Sequence, residues 1–294
     1  MGVAAAGLVL ASAWGARGDW DPGGDHAMHF PQLPDGNGWA VRANQDWAAA
    51  IADDWQASQS GSVTGIHFWF SVQQDQDFVP ISIYTAIFAD VPAGPGEPFG
   101  HPGALLWDHY ADSSEYATRI YGIGDQGWSD PVAGTWNLSD HANLWQMNIS
   151  LAPDLAFQQE AGTVYWLAVG MTAINPADPM QTLAVGWSTS LDNWNAGAVA
   201  STGGDPDPGW QPLADPVTAQ PQGMAFVMVP EPATMGFLLL AGAGLTAAAR
   251  WRRRRSTTPA TAHRPPALRT PGLLRPPAPA RRRRHGAARD WWRS

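Results

Sequence analysis

The chain has 294 residues, no cysteine, no lysine and a formal net charge of −9. The missing cysteines exclude a disulfide framework, a thiolate metal site and a cysteine nucleophile. Before residue 230 only Arg17, Arg42 and Arg119 oppose 24 acidic side chains, which speaks against nucleic acid as a partner of the main body and leaves divalent cations as one, although solubility alone would explain the same balance.

In chain order, residues 3–16 are apolar and end in small side chains, with Ala11, Ser12 and Ala13 as an A-x-A cleavage site. That pattern predicts the apolar region of an export signal peptide over 1–18. Only Met1 and Gly2 precede it, so the basic start is missing and the true start codon is expected upstream.

Residues 19–229 read as one β-rich unit. Residues 64–72 alternate, with Ile66, Phe68, Phe70 and Val72 on one side and His67, Trp69 and Ser71 on the other. Residues 80–88 place Ile81, Ile83, Thr85 and Ile87 together. In 144–151, Trp145, Met147, Ile149 and Leu151 oppose Gln146, Asn148 and Ser150. A period of two is what a half-buried antiparallel strand requires. Residues 163–171 are apolar on both faces and predict a central strand. Residues 105–110, 116–121, 183–188 and 223–229 bring the expected set to about eight, enough for an all-β antiparallel sandwich or barrel. One helix is expected over 44–56, where Trp47, Ile51 and Trp55 recur every fourth residue, with an extended lead into the first strand as the alternative.

Three acidic loops are candidate calcium sites: Asp19, Asp21 and Asp25; Asp75 and Asp77; Asp205 and Asp207. Calcium takes six to eight hard oxygens, often from alternate loop carboxylates. None of the three matches the EF-hand spacing, and solvated turn aspartates are the plainer reading. Asp53 and Asp54 are adjacent, which does not by itself make a shared site.

Of 17 tryptophans, 14 precede residue 230. Exposed indoles in a β-sandwich can stack on sugar rings. Trp128, Trp136, Trp194 and Trp210 are the loop candidates for polysaccharide stacking, whereas Trp69, Trp145, Trp166 and Trp187 fall in strand patterns and are expected in the core. Catalytic motifs are missing: there is no G-x-S-x-G, H-E-x-x-H or P-loop. His26, His29, His67, His101, His109 and His141 have no metal partner at ligand spacing. A carboxylate pair of the glycosidase kind is assembled in space and not in sequence. The expected function is therefore non-catalytic binding or structure, with a secreted carbohydrate-active hydrolase as the alternative.

The chain then reads Pro230, Glu231, Pro232, an uncharged apolar stretch over 233–249, and Arg250 followed by Arg252, Arg253, Arg254 and Arg255. At ~1.5 Å per residue the apolar stretch is about 26 Å long as a helix, at the short end of what spans a bilayer. The arginines are expected to stay in the cytoplasm, with the acidic body on the far side. This order of features resembles the PEP-CTERM sorting signal over 230–255. The resemblance implies recognition by an exosortase in the membrane and a cut near the Pro-Glu-Pro motif. The exported part is then released or attached to surface material, which makes exosortase, the membrane and extracellular polysaccharide the expected partners. Residues 256–294 are rich in Pro, Ala and Arg and are expected to be disordered. Translation into non-coding sequence explains that extension as well as any function does.

Within the main body, residues 52–71 (ADDWQASQSGSVTGIHFWFS), 103–110 (GALLWDHY), 126–131 (QGWSDP), 164–170 (VYWLAVG) and 187–199 (WSTSLDNWNAGAV) resemble an uncharacterised exported β-domain found on PEP-CTERM proteins. That resemblance covers most of 30–228. It implies a jelly-roll-like or related sandwich and brings no activity with it.

Overall fold

Residues 19–23, 27–45, 50–201 and 209–230 are described by a computed structural model. They form β1 (Trp39–Arg42), β2 (Ala50–Gln56), β3 (Gly61–Val72), β4 (Val79–Val91), β5 (His101–Tyr110), β6 (Tyr116–Asp130), β7 (Thr135–Ser150), β8 (Phe157–Gln159), β9 (Val164–Asn175), β10 (Asp178–Leu183), β11 (Val185–Ser190), β12 (Val199–Ser201), β13 (Gln211–Pro212), β14 (Gly223–Met224) and β15 (Phe226–Pro230). The only helical element among the described residues is a 3-10 turn at Gln73–Asp75.

The architecture is all-β in two sheets. The first runs β14-β11-β1-β6-β7-β3-β15, with β8 also on β3. The second runs β13-β12-β2-β9-β4-β5, with β10 on β9. Among the named strands pairing is antiparallel except between β1 and β6, where Trp39, Ala40 and Val41 run parallel to Gly127, Trp128 and Ser129. As the apolar run over 163–171 predicts, β9 is central, flanked by β2 and β4. The alternation in β3 holds: Ile66, Phe68, Phe70 and Val72 enter the main core with Trp187, Phe226 and Ile87, while Trp69 joins a second cluster on the outer face.

The helix expected over 44–56 is not formed. Ala50–Gln56 is β2, hydrogen-bonded to β9 and β12. The same residues that sit four apart also alternate, and pairing on both edges favours the extended form. Residues 46–49, with Trp47, lie outside the described residues.

The β6–β7 hairpin reaches well beyond the short runs read from sequence. Its register shifts at three points between Ile120 and Trp128. β11 pairs with both β1 and β3, so the pairings of β3, β7, β6, β1 and β11 close into a ring. On the outer face of the first sheet, residues 19–21 form a strap. Arg119 holds it through Asp21 at 2.5 Å and the Trp20 carbonyl at 2.9 Å, and Trp20 packs edge-on against Trp69.

The leader expected over 1–18, His26, Glu231, Pro232, the apolar stretch over 233–249, the arginines from Arg250 to Arg255 and the tail over 256–294 lie outside the described residues. Among the described residues no helix is long and apolar enough to cross a membrane.

Candidate functional site

The outer face of the second sheet carries the most chemistry. In antiparallel pairing, directly opposed residues share a face. Phe88 lies opposite Trp166, and Trp166 opposite Asp54. In the next row Asp108, Ala86, Ala168, Ala52 and Val199 succeed one another across β5, β4, β9, β2 and β12. Tyr110, Tyr84 and Gly170 form the row after that. Buried alanine side chains thus form a floor between an aromatic and carboxylate row and a tyrosine row. Phe88, Phe99, Tyr84 and Trp210 pack around this floor, half-buried. The Tyr84 and Tyr110 rings lie 4.8 Å apart, and Tyr110 is 51% exposed. Burial first, then the charge of Asp108, pushes the Tyr84 hydroxyl up to about 12.

Asp54 is fully buried in this face. Its Oδ2 accepts from Nδ2 of Asn195 at 2.5 Å, while Oδ1 has no hydrogen-bond partner among the described residues. Burial pushes its carboxyl up to about 7, the Asn195 hydrogen bond opposing and the nearby charge of Asp90 adding. Asp90 accepts from the Trp166 indole N–H at 2.8 Å. Asp53, one residue earlier, faces the other way. It accepts from Gln32 Nε2 at 3.0 Å and from the Met224 and Asp54 backbone N–H groups at 2.5 and 2.9 Å, and so ties β2 to the first sheet. Burial raises it well above the usual carboxylate range. The two neighbours therefore do separate work, Asp53 in joining sheets and Asp54 under the aromatic patch. Their adjacency is plain in the sequence but their roles are not, because what each carboxylate serves depends on which distant segment covers its face. The period of two around Ile51 and Trp55 was the available signal.

A second buried polar group lies on the strands of the ring, on the face that Ser71 shares with Trp69. Ser71 is paired with Gly186, Ser188 with Ala40, Ala40 with Trp128, and Gln126 with His141. Gln126 Nε2 donates to Ser71 Oγ at 3.4 Å, and the Trp128 and His141 rings lie 6.3 Å apart, edge to face. Gln126 Oε1, His141 Nε2 and Ser188 Oγ have no hydrogen-bond partner among the described residues. Burial lowers the His141 imidazole, against the pull of its Asp140 contact at 3.1 Å.

The four loop tryptophans are not brought together as one platform. Trp128 is 3% exposed and packed beside His141, with no open face for stacking. Trp136 is 45% exposed at the start of β7 and stands edge-on to Trp39. Trp194 is half-buried in the loop after β11, its backbone N–H on Gln32. Of the four, Trp210 alone packs against the alanine floor. Trp69, Trp166 and Trp187 are buried, and Trp145 is half-buried against the core.

The acidic loops divide in the same way. Both Asp75 oxygens accept backbone N–H groups, from Ala142 and Asn143 at 2.8 Å, so that carboxylate fastens the 3-10 turn to β7. Asp77 is exposed. Asp19 and Asp21 hold Arg119. Asp25, Asp205 and Asp207 lie outside the described residues. No group of three or more His, Asp or Glu able to hold a metal occurs among the described residues. His101 pairs with Glu97 at 3.0 Å and His109 with Glu115 at 2.8 Å. His29 and His67 are buried and hydrogen-bonded, to the Met228 N–H and to Asn148.

Residues 28–229 match the model of a protein family described as a domain of unknown function (DUF7901). Residues 229–255 match the PEP-CTERM protein-sorting motif. Neither the curated proteins nor the solved structures hold a match to the chain.

Proposed function

We propose, from the premise that the chain belongs to the DUF7901 family and carries a PEP-CTERM sorting motif, that its sandwich is a non-catalytic module binding extracellular polysaccharide. The motif implies export, processing by an exosortase and a cell-surface or extracellular fate. In this reading the precursor is held in the inner membrane by the apolar stretch over 233–249, with Arg250 and Arg252 to Arg255 inside, until the cut near Pro230, Glu231 and Pro232 frees the acidic body. Glu231→Ala is expected to leave the precursor uncut and membrane-bound, and normal release of that variant would remove Glu231 from recognition.

The observation that carries the binding reading is the aromatic patch beside Asp54, where Tyr110 is 51% exposed. Half-buried Tyr84, Phe88 and Trp210 cover a buried alanine floor beside the more exposed Tyr110, and aromatic rings are large apolar surfaces suited to the C–H side of a sugar. Tyr84, Tyr110, Phe88 and Trp210 are the residues proposed to contact it, in place of the wider set of loop tryptophans. The sealed position of Asp54 favours positioning over catalysis, since a catalytic acid has to reach the scissile oxygen.

The test is a glycan array with the processed protein, with and without calcium, repeated with a Tyr84→Ala and Tyr110→Ala double variant. Retention of a polysaccharide by the wild type and its loss in the variant support the reading. Turnover of an oligosaccharide that disappears in Asp54→Asn replaces it with the hydrolase alternative, for which the Asp54 and Asp90 carboxylates on one face are the specific grounds. Neither binding nor turnover leaves a structural component.

A further inference from the structure

The sorting motif and the folded domain share residues. The motif match begins at residue 229, and β15 runs from Phe226 to Pro230. There is no linker between the last strand and Glu231. β15 is also not a peripheral strand in energetic terms. Phe226, Val227 and Met228 are each 0% exposed. Phe226 and Met228 belong to the main core, and Val227 to the cluster on the outer face.

Both edges of β15 are engaged. On one side Phe226, Val227, Met228, Val229 and Pro230 pair with β3 at Phe68, His67, Ile66, Gly65 and Val63. On the other side the segment that follows the N-terminal strap closes over it. Met28 N–H donates to the Met228 carbonyl at 2.8 Å, Gln32 and Phe226 exchange backbone bonds at 3.2 and 3.0 Å, and Met228 N–H donates to His29 Nε2 at 2.9 Å. A protease needs several residues in extended, unpaired form. Within Phe226–Val229 that demands pulling a doubly paired strand out of two clusters at once.

We infer that the folded sandwich itself sets the upstream limit of processing: the peptide bond that exosortase breaks lies C-terminal to Pro230, and β15 stays in the mature protein. The inference rests on the sorting reading given above. In the step, the carbonyl carbon of the last retained residue passes to water or to an acceptor hydroxyl or amine. The departing nitrogen takes up a proton and becomes the amino terminus of the membrane-side fragment. The recognition motif is thereby divided. Pro230 is read at the rim of the sandwich, where it lies opposite Val63 after a register shift, and Glu231 and Pro232 are read beyond it.

Two measurements on the full chain decide it. In the first, the chain in detergent is treated with a protease of broad specificity, and peptide mapping identifies the last residue of the resistant core. In the second, the same mapping is applied to material from cells with an active exosortase. A last residue at Pro230 or later in both supports the inference, and one before Pro230 in either overturns it. Failure of the cells to cut the chain at all defeats the sorting reading instead, while the resistant core still decides whether β15 is shielded. A Val227→Asp variant gives the control. Loosening β15 is expected to move the protease limit upstream of Phe226, and an unchanged limit would mean that β15 does not set it.

Discussion

His29 Nε2 accepts the backbone N–H of Met228 at 2.9 Å, and the His29 ring stacks on Phe226 with centroids 5.0 Å apart. The acceptor role requires a neutral imidazole, and burial keeps it so by lowering its pKa to about 3. An unfolded histidine titrates near 6.5, so the unfolded chain takes up the proton first. The contribution is therefore fully present above pH 6.5 and is lost as pH falls from there toward 3. The slope is ~1.4 kcal/mol per pH unit for one proton. Denaturant unfolding of the wild type at pH 6.5 and 4.5 should differ by more than that of His29→Gln, which keeps an acceptor and does not titrate. Parallel pH curves for the two proteins would remove His29 from the acid response.

Asp54 acts with the opposite sign. Its folded pKa of about 7 stands above the usual 3.8, so its favourable contribution is complete below 3.8 and is lost as pH rises to 7. Asp54→Asn keeps an oxygen for Asn195 and carries no charge. It should match the wild type near pH 4 and melt several degrees higher at pH 8, since 1 kcal/mol is worth about 2–4 °C in a domain of this size. Calorimetry at the two pH values reads the difference directly, and a shift of the same size at both would mean that charge burial is not the cause.

The ring depends on a close approach at Gly186. A Cβ placed there would meet the Ala40 Cβ at 2.8 Å and the Ala40 carbonyl carbon and Trp128 Cζ3 at 2.9 Å. Two of these contacts are backbone or a short side chain and cannot swing away. Gly186→Ala is expected to cost ~1–3 kcal/mol by overpacking. Hydrogen exchange should rise first in β1 and in the β6 residues Gly127 to Ser129, which pair beside it. Protection unchanged in those strands would show that the ring tolerates the methyl group.

The two sheets were legible where one face is buried and the other is not. Residues 64–72 and 144–151 alternate because β3 and β7 separate a core from a second, smaller cluster, and 163–171 lose the alternation because β9 is covered on both faces. Legibility failed where partners far away in sequence decide. β2 satisfies a helical spacing and a strand spacing together, and only its pairing with β9 and β12 chooses. The parallel β1–β6 contact and the closure of β11 on β3 leave no local signal, since register shifts in β6 do the bending. The aromatic patch was hidden for the same reason: Asp54, Trp166, Phe88 and Tyr84 come from three strands. The sorting motif, by contrast, is contiguous and could be read in full.

Trp187 joins the pieces that sequence could not connect. It is 0% exposed on β11, opposite Val41 of β1 on one side and Phe70 of β3 on the other. Its rings stand edge-on to Phe226 at 6.0 Å and Phe68 at 6.4 Å, and its indole N–H donates to the Ala225 carbonyl at 2.9 Å. That carbonyl also accepts the Trp69 backbone N–H at 3.3 Å, so removing the Trp187 indole donor does not leave it bare. Trp187→Phe should therefore cost ~1–2 kcal/mol, the net worth of one hydrogen bond with a small void beside it. Trp187→Ala empties the same site and should cost ~3–5 kcal/mol. Because the residue faces both β15 and the ring, the alanine variant should lose protection in β15 and β1 together when followed by hydrogen exchange. Loss confined to one of them would show that the two regions fold as independent units.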